Sequence, residues 1–312
     1  MASALASNTL DEWTGFSPPP SSDGNVSIAP ILRGPHVEVV HWRCLRAAGA
    51  LAGERRQRWA MLTLAESGAS VVHRSAGTTL VEPACAVLHE PLAPYRTTHP
   101  FGCGDAGCSV LLSPAITREI RARRAAAGFA AGERTWPAGT AVVPARPRLE
   151  LFLLIRRVRR ALPVAPLAIE EAAMALVADL LEGMPSRDGG RAAAREATRA
   201  SHHALVEVVR TYFVGHLDQR IQLTEVAAAA GVSPFHLART FRRATGMTLH
   251  RYLTRLRLVW ALPRATEPRA SLTELALDLG FSSHSHLTAA FHREFGVPPS
   301  EARRRATMRE VD

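Results

Sequence analysis

The chain contains no lysine. Its 38 basic residues are all arginine, set against 28 acidic residues, for a formal net charge of +10 over 312 residues. A guanidinium can grip a phosphate or a guanine edge with two parallel hydrogen bonds, which an ammonium cannot do. A positive balance of this kind suits an anionic partner, nucleic acid or membrane surface. Cysteine is also scarce: Cys44, Cys85, Cys103 and Cys108 are too few for a secreted disulfide framework in a chain this long. No stretch approaches 18 apolar residues without charge, which excludes a transmembrane helix. The opening MASALASNTLDEW lacks the basic segment and apolar core of a secretory signal, so the expected compartment is the cytoplasm. A hydrophobic content of 47% with 21% charged residues excludes a disordered chain, and the length allows two domains with their own cores.

What is present is a repeat. LTEVAAAAGVSPFHLARTFRRATG, from Leu223, returns as LTELALDLGFSSHSHLTAAFHREFG, from Leu272. Ala227 and Gly231 match Ala276 and Gly280 at an offset of 49 (276 − 227), whereas Leu237, Phe241 and Gly246 match Leu287, Phe291 and Gly296 at 50 (291 − 241). The second copy therefore carries one extra turn residue. Each copy reads as a short helix, a glycine turn and a longer helix, the outline of a helix-turn-helix whose second helix enters the DNA major groove. Between Glu225 and Glu267 there is no acidic residue and there are seven arginines, an unbroken positive stretch suited to phosphate.

Within the first copy, Thr224 is expected to cap a helix over residues 225–230, Gly231 to turn, and Ser233 to cap the second helix with Pro234 in its first turn. Leu237 and Phe241 then fall on the buried face and leave Phe235, His236, Arg239, Arg242 and Arg243 outside. In the second copy Ser271 caps, Leu275, Ala276 and Leu279 pack, and Leu287, Phe291 and Phe295 are buried. His284, Ser285 and Thr288 face outward near the helix start, with Arg293 further along. Between the copies a helix from Leu249 to about Leu262 forms a strut of about 21 Å at 1.5 Å per residue, which Pro263 should end or kink. This spacing would set the two recognition helices about one DNA turn, roughly 34 Å, apart.

Upstream, residues 1–30 are rich in Ser, Pro and Gly and read as a flexible arm. From Val37 follow short apolar runs, VEVVHW, WAMLTLAE, ASVVHR, TTLVEP, CAVLHE and CSVLLS, the pattern of an antiparallel β-sandwich or barrel. Residues 114–127 read as an arginine-rich helix, and 149–162 and 168–181 as amphipathic helices separated by PVAP. The two amphipathic helices could cover this chain's own barrel or form a homodimer contact. PSRDGGRAAAREATR has linker composition. The expected organisation is thus an arm at 1–30, an effector or dimerisation domain of β-barrel plus helices at 31–184, a linker at 185–200 and a helical DNA-binding domain at 201–305. Its helix-turn-helix units lie at about 223–246 and 271–296. The fold class is α+β in two domains.

Region 204–303 resembles the DNA-binding domain of the AraC/XylS family of bacterial transcription regulators. The resemblance is carried by IQLTEVAAAAGVSPFHLARTFRRATGMTLHRYL and by GFSSHSHLTAAF followed by FGVPP. It implies a seven-helix domain with two helix-turn-helix units, double-stranded DNA as partner, transcription activation with RNA polymerase as a possible partner, and a cupin-like N-terminal barrel that binds a small effector or dimerises. It places base contacts on Phe235, His236, Ala238 and Arg239 in the first unit, and on His284, Ser285, Thr288 and the Ala289 position in the second. Ser233, Arg242, Arg243 and Arg293 are assigned to phosphates. Ala289 stands where the family usually has a basic residue, and Ala302 where it has a tyrosine.

The effector half offers one cluster, His89, His99, Cys103 and Cys108, of types that bind zinc or copper or act as a redox pair. Its C-x4-C spacing is looser than C-x2-C, and the adopted reading is a Gly-rich turn with incidental cysteines, with no metal and no cofactor; a metal or thiol sensor is the alternative. Two other classes compete with a regulator. A repair methyltransferase with a zinc-bound acceptor cysteine needs a four-ligand arrangement this spacing lacks. A barrel metalloenzyme usually has His-x-His, and none occurs before Leu205. No enzymatic activity is expected.

Overall fold

The computed structural model describes residues 26–45, 49, 51–75, 77–101, 104–126, 139–182 and 192–308; for 192–200 it describes the backbone alone. By its contacts the chain divides into two units, residues 1–81 with 85–187 and residues 82–84 with 188–312.

In the first unit the elements run β1 (Val26–Arg33), β2 (Val37–Cys44), β3 (Arg55–Arg56), β4 (Ala60–Ser67), β5 (Ser70–Arg74), β6 (Gly77–Val81), β7 (Cys85–His89), β8 (Pro94–Thr98), β9 (Ala106–Leu112), α1 (Pro114–Ala126), β10 (Gly139–Val142), α2 (Ala145–Arg159) and α3 (Pro166–Glu182). The strands make two antiparallel sheets, ordered β1-β2-β9-β4-β7-β10 and β3-β8-β5-β6, which together form the expected antiparallel β-sandwich. All six apolar runs became strands. The arm expected at 1–30 is corrected in its last five residues: β1 starts at Val26 and pairs with β2 from Val26 opposite Cys44. Its register slips between Pro30 and Leu32, where a proline that cannot donate to the ladder is tolerated on an edge strand. The rest of the arm lies outside the described residues.

The six-stranded sheet is apolar on both faces. Toward the helices, Val37, Val39, Leu62, Leu64, Leu88, Cys108, Val110 and Leu112 pack with Leu151 and Ile155 of α2 and Ile169, Leu176 and Val177 of α3. The apolar faces of both amphipathic helices are thus occupied by the unit's own core. Toward the second sheet, Val40, Met61 and Leu111 cluster with Ile28, Trp59 and Tyr95, and Ala65 and Val87 pack with Val72 and Val81.

In the second unit the helices are α4 (Ala192–Gly215), α5 (Leu223–Ala229), α6 (Pro234–Thr245), α7 (Leu249–Ala265), α8 (Leu272–Asp278), α9 (His284–Phe295) and α10 (Pro299–Thr307). Helix α4 begins inside the segment expected to be a 185–200 linker, because AAAREATRA is a run of good helix formers that continues into the apolar face of residues 205–214. Residues 185–191 lie outside the described residues. Within this unit Glu82, Arg210 and Tyr252 are fully buried together. The Arg210 guanidinium lies 2.8 Å from the Glu82 carboxylate, which also accepts from the Tyr252 hydroxyl at 2.6 Å. Burial opposes the charge on Glu82, but Arg210 and the hydrogen bonds outweigh it and hold the carboxyl below its usual range.

Candidate nucleic-acid interface

The two helix-turn-helix units are built by local rules. The start of α5 differs from expectation: Gln222 rather than Thr224 is the cap, and its N–H donates to the Glu225 carboxylate at 2.8 Å, which draws Leu223 and Thr224 into the helix. Ser233 accepts from the His236 N–H at 3.2 Å to start α6, and Ser283 from the His286 N–H at 3.1 Å to start α9. Ser271 caps α8 in the same way. Gly231 and Gly280 turn with φ of +65° and +67°, and Gly246 and Gly296 close the recognition helices with φ of +73° and +80°.

Burial repeats along with the sequence. From Ser233 to Phe241 and from Ser283 to Phe291 the run is the same at each position: four exposed residues, one buried, one half-buried, one exposed and two buried. Leu237 and Phe241, and Leu287 and Phe291, are the anchors, all at 1% exposure or less. What stands outside is therefore equivalent in the two units. Phe235 is 76% exposed, an unusual position for a large aromatic ring. His236, Arg239, Arg242 and Arg243 are exposed and Ala238 is half-buried. In the second unit His284, Ser285 and Arg293 are exposed and Thr288 is half-buried, with its hydroxyl 3.5 Å from His284 Nε2. At an offset of 50 the Arg239 position is taken by Ala289, and that of Arg242 by His292.

Each unit is held to the strut. Helix α7 runs through Pro263 to Ala265, three residues beyond the expected end, giving 17 residues and about 25 Å. Pro263 sits in the last turn, where a single missing N–H is tolerated, and Thr266 ends the helix by donating its hydroxyl to the Leu262 carbonyl at 2.8 Å. Tyr252 meets Phe241 edge-on with ring centroids 5.4 Å apart, fixing α6. Arg255 lies 3.1 Å from Glu294 of α9, and Arg257 donates to the carbonyls of Leu217, Gln219 and Gly280. Ala302 is fully buried in α10, and the neighbouring Arg303 ties that helix down by donating to the carbonyls of Ala265 and Ala270.

Two exposed side chains were missed in the sequence reading. His286 occupies the repeat position of His236, and His292 that of Arg242; the offset of 50 would have found both. His286 is constrained: its Nδ1 lies 3.0 Å from the Ser282 hydroxyl, and its ring packs edge-on against Phe281.

The three described metal candidates, His89, His99 and Cys108, do not gather. Cys108 points to the helix side of β9, its thiol pushed well up by burial, then by Glu66. Its neighbour Ser109 lines a cavity between the sheets, as do His89 and His99. Alternation along one strand thus separates Cys108 from the two histidines. Cys103 lies outside the described residues. Among those described, His99 has different company, Cys44 and Asp105.

Two short helix-turn-helix units on one strut, each with a capped and exposed second helix, define a DNA-binding protein. The helix-turn-helix domain family matches residues 226–305. The regulatory protein SoxS of Salmonella typhimurium is 31% identical over 105 residues, 34% of this chain and 98% of its own length. The transcriptional activator RhaS of Klebsiella pneumoniae is 34% identical over 110 residues, 35% of this chain and 39% of its own. A solved AraC-type regulator from Chromobacterium violaceum aligns over 35% of this chain and 97% of its own, at 25% identity and a TM-score of 0.32. The chain belongs to the AraC/XylS family and is a DNA-binding transcription regulator. No helix among the described residues is long and apolar enough to cross a membrane.

Proposed function

We propose that α6 and α9 read two successive major-groove segments on one face of DNA, and read them unequally. The observation that carries this is the matched burial of Ser233–Phe241 and Ser283–Phe291, which makes their exposed positions equivalent and the exchange of Arg239 for Ala289 a difference between like sites. Arg239 can bond a guanine edge with two hydrogen bonds, and Phe235 can press on a thymine methyl. His236 and Ala238 complete the base-facing set of α6. Ser233, Arg242 and Arg243 contact phosphates, as does Arg293 on α9. His284, Ser285 and Thr288 offer hydrogen bonds without a fixed positive charge, so α9 adds discrimination more than affinity.

The first unit is the regulatory half, which binds a small effector in its inter-sheet cavity and pairs two copies of the chain. The regulator acts in the cytoplasm as an activator that engages RNA polymerase, and catalyses no reaction. Selection of bound fragments from random DNA, followed by footprinting, tests the reading. It expects a site with two elements about one turn apart, the one under α6 the more constrained. A single protected element, or none, overturns it.

A further inference from the structure

Three buried side chains from distant parts of the first unit meet on the wall of the inter-sheet cavity: Cys44 ends β2, His99 follows β8 and Asp105 precedes β9. Each offers one ligand atom. The Cys44 sulfur, a ring nitrogen of His99 and a carboxylate oxygen of Asp105 all lie within 4.8 Å of one another. Tetrahedral zinc holds sulfur at about 2.3 Å and nitrogen or oxygen at about 2.0–2.2 Å, which sets neighbouring ligand atoms roughly 3.3–3.7 Å apart. Small side-chain rotations bring the three to that spacing.

A second feature of the cluster points to an ion. His99 Nδ1 and Asp105 Oδ1 stand 3.0 Å apart, yet both are inaccessible to solvent and neither makes a hydrogen bond. A plain pair of imidazole and carboxylate at that distance would close through an aligned N–H, and this one does not. Buried polar atoms in that state are rare unless something else meets them. The backbone holds the ligands in place. Cys44 N–H donates to the Asp105 carbonyl at 2.8 Å, and Gly49 N–H to the His99 carbonyl at 3.0 Å. Two glycines let the chain close in: a Cβ on Gly68 would stand 2.7 Å from Asp105 Cα, and one on Gly104 2.6 Å from the Cys44 carbonyl oxygen. The ligand positions are thus fixed by the fold before an ion arrives.

We propose that Cys44, His99 and Asp105 bind one zinc ion. Thiolate and imidazole both suit zinc and argue against magnesium or calcium, which take oxygen ligands. A thiolate and a carboxylate carry two negative charges, so a divalent ion leaves the buried site without net charge. The thiol gives up its proton on binding. Three protein ligands leave a fourth position, which the adjoining cavity can supply with water or a small ligand. Strands β2 and β9 belong to the six-stranded sheet and β8 to the four-stranded one. The ion therefore staples the two sheets, and its binding energy adds to the stability of the unit. Of the four residues singled out from the sequence, only His99 takes part. Cys108 packs on the helix side of β9. The site stands apart from the regulatory reading and needs no DNA.

The test uses the full chain without an affinity tag, stripped with a chelator and dialysed against zinc. Elemental analysis should find one zinc per chain, and thermal unfolding should move to higher temperature with zinc. X-ray absorption at the zinc edge should show one sulfur at about 2.3 Å among nitrogen and oxygen neighbours. Cys44→Ser, His99→Gln and Asp105→Asn should each weaken zinc by at least the roughly 10–100-fold that loss of an outer-shell partner costs. Cys108→Ala should leave the affinity unchanged. Each variant is scored once cooperative unfolding in zinc-free buffer shows it folded. No binding at micromolar zinc overturns the proposal. So does a shell with no sulfur or with two, or an unchanged affinity in folded Cys44→Ser protein. The absorption spectrum needs no variant, so a variant that fails to fold does not leave the question open. Binding of selected DNA is measured separately, and its failure bears on the regulator reading and not on the ion.

Discussion

The Arg257 side chain closes over Gly280. Its Nη1 donates to the Gly280 carbonyl at 3.1 Å, while Nε and Nη2 hold the carbonyls of Leu217 and Gln219 at 2.8 and 2.6 Å. One guanidinium thus joins the strut, the turn that follows α4 and the turn of the second helix-turn-helix unit.

Gly280 has φ of +67°, and a Cβ there would stand 2.6 Å from Arg257 Nη2. Gly231 has φ of +65° with nothing within 4 Å. Gly231→Ala should therefore cost only the left-handed backbone term, about 1–2 kcal/mol. Gly280→Ala should cost more, because the clamp must also shift. Urea unfolding of the two variants measures the difference; equal losses would show that Arg257 yields freely.

Arg239→Ala should weaken binding to the selected site by about 1–3 kcal/mol and relax preference under α6. Thr288→Ala should cost less. Arg242→Ala should weaken binding to all sequences alike and lower the salt slope by about one. Fluorescence anisotropy over a range of salt concentrations separates the three, and equal losses for Arg239 and Thr288 would sink the unequal-reader idea.

Ser233 serves two roles that substitution can part. Its hydroxyl accepts the His236 N–H. Ser233→Ala should lose about 1 kcal/mol of stability with the cap. Ser233→Asp should keep the cap and favour the helix N-terminus, yet repel a phosphate. Stability near that of the unaltered protein with reduced DNA affinity is the expected pair of results; undiminished affinity would remove Ser233 from the phosphate set.

Two histidines should give the first unit opposing pH limbs. Burial, then Arg74, lowers His89 from 6.5 to about 3. Between those values the unfolded chain binds a proton the folded chain refuses, so stability falls as pH drops from 6.5. His99 is raised from 6.5 to about 9, so its contribution is full below 6.5 and is lost as pH rises toward 9. Thermal unfolding across pH should show His89→Gln flattening the acid limb and His99→Gln the alkaline one. A limb that survives its substitution belongs to another group.

Most strands were legible because alternation and bounding turns are short-range signals. The four strands that were missed each lacked one. β1 holds Pro30, β8 opens on Pro94, β3 has two residues and β10 lies in a Gly- and Pro-rich stretch. Such segments become strands because a neighbouring ladder offers them partners. The extension of α7 past Pro263 has a similar cause: Leu262 and Ala265 are buried on either side of it, and their packing outweighs the missing donor.

The sequence by itself determined the repeat, its serine caps, its glycine turns and the choice of side chains on each recognition helix. All of these follow from contacts three or four residues apart, which the order of residues specifies directly. Only the tertiary structure decided that Arg257 clamps Gly280, 23 positions away, and that Cys44 meets His99, 55 positions away, beside Asp105. Pairings at that separation depend on how strands register and helices cross, and burial rather than proximity along the chain brings those groups together.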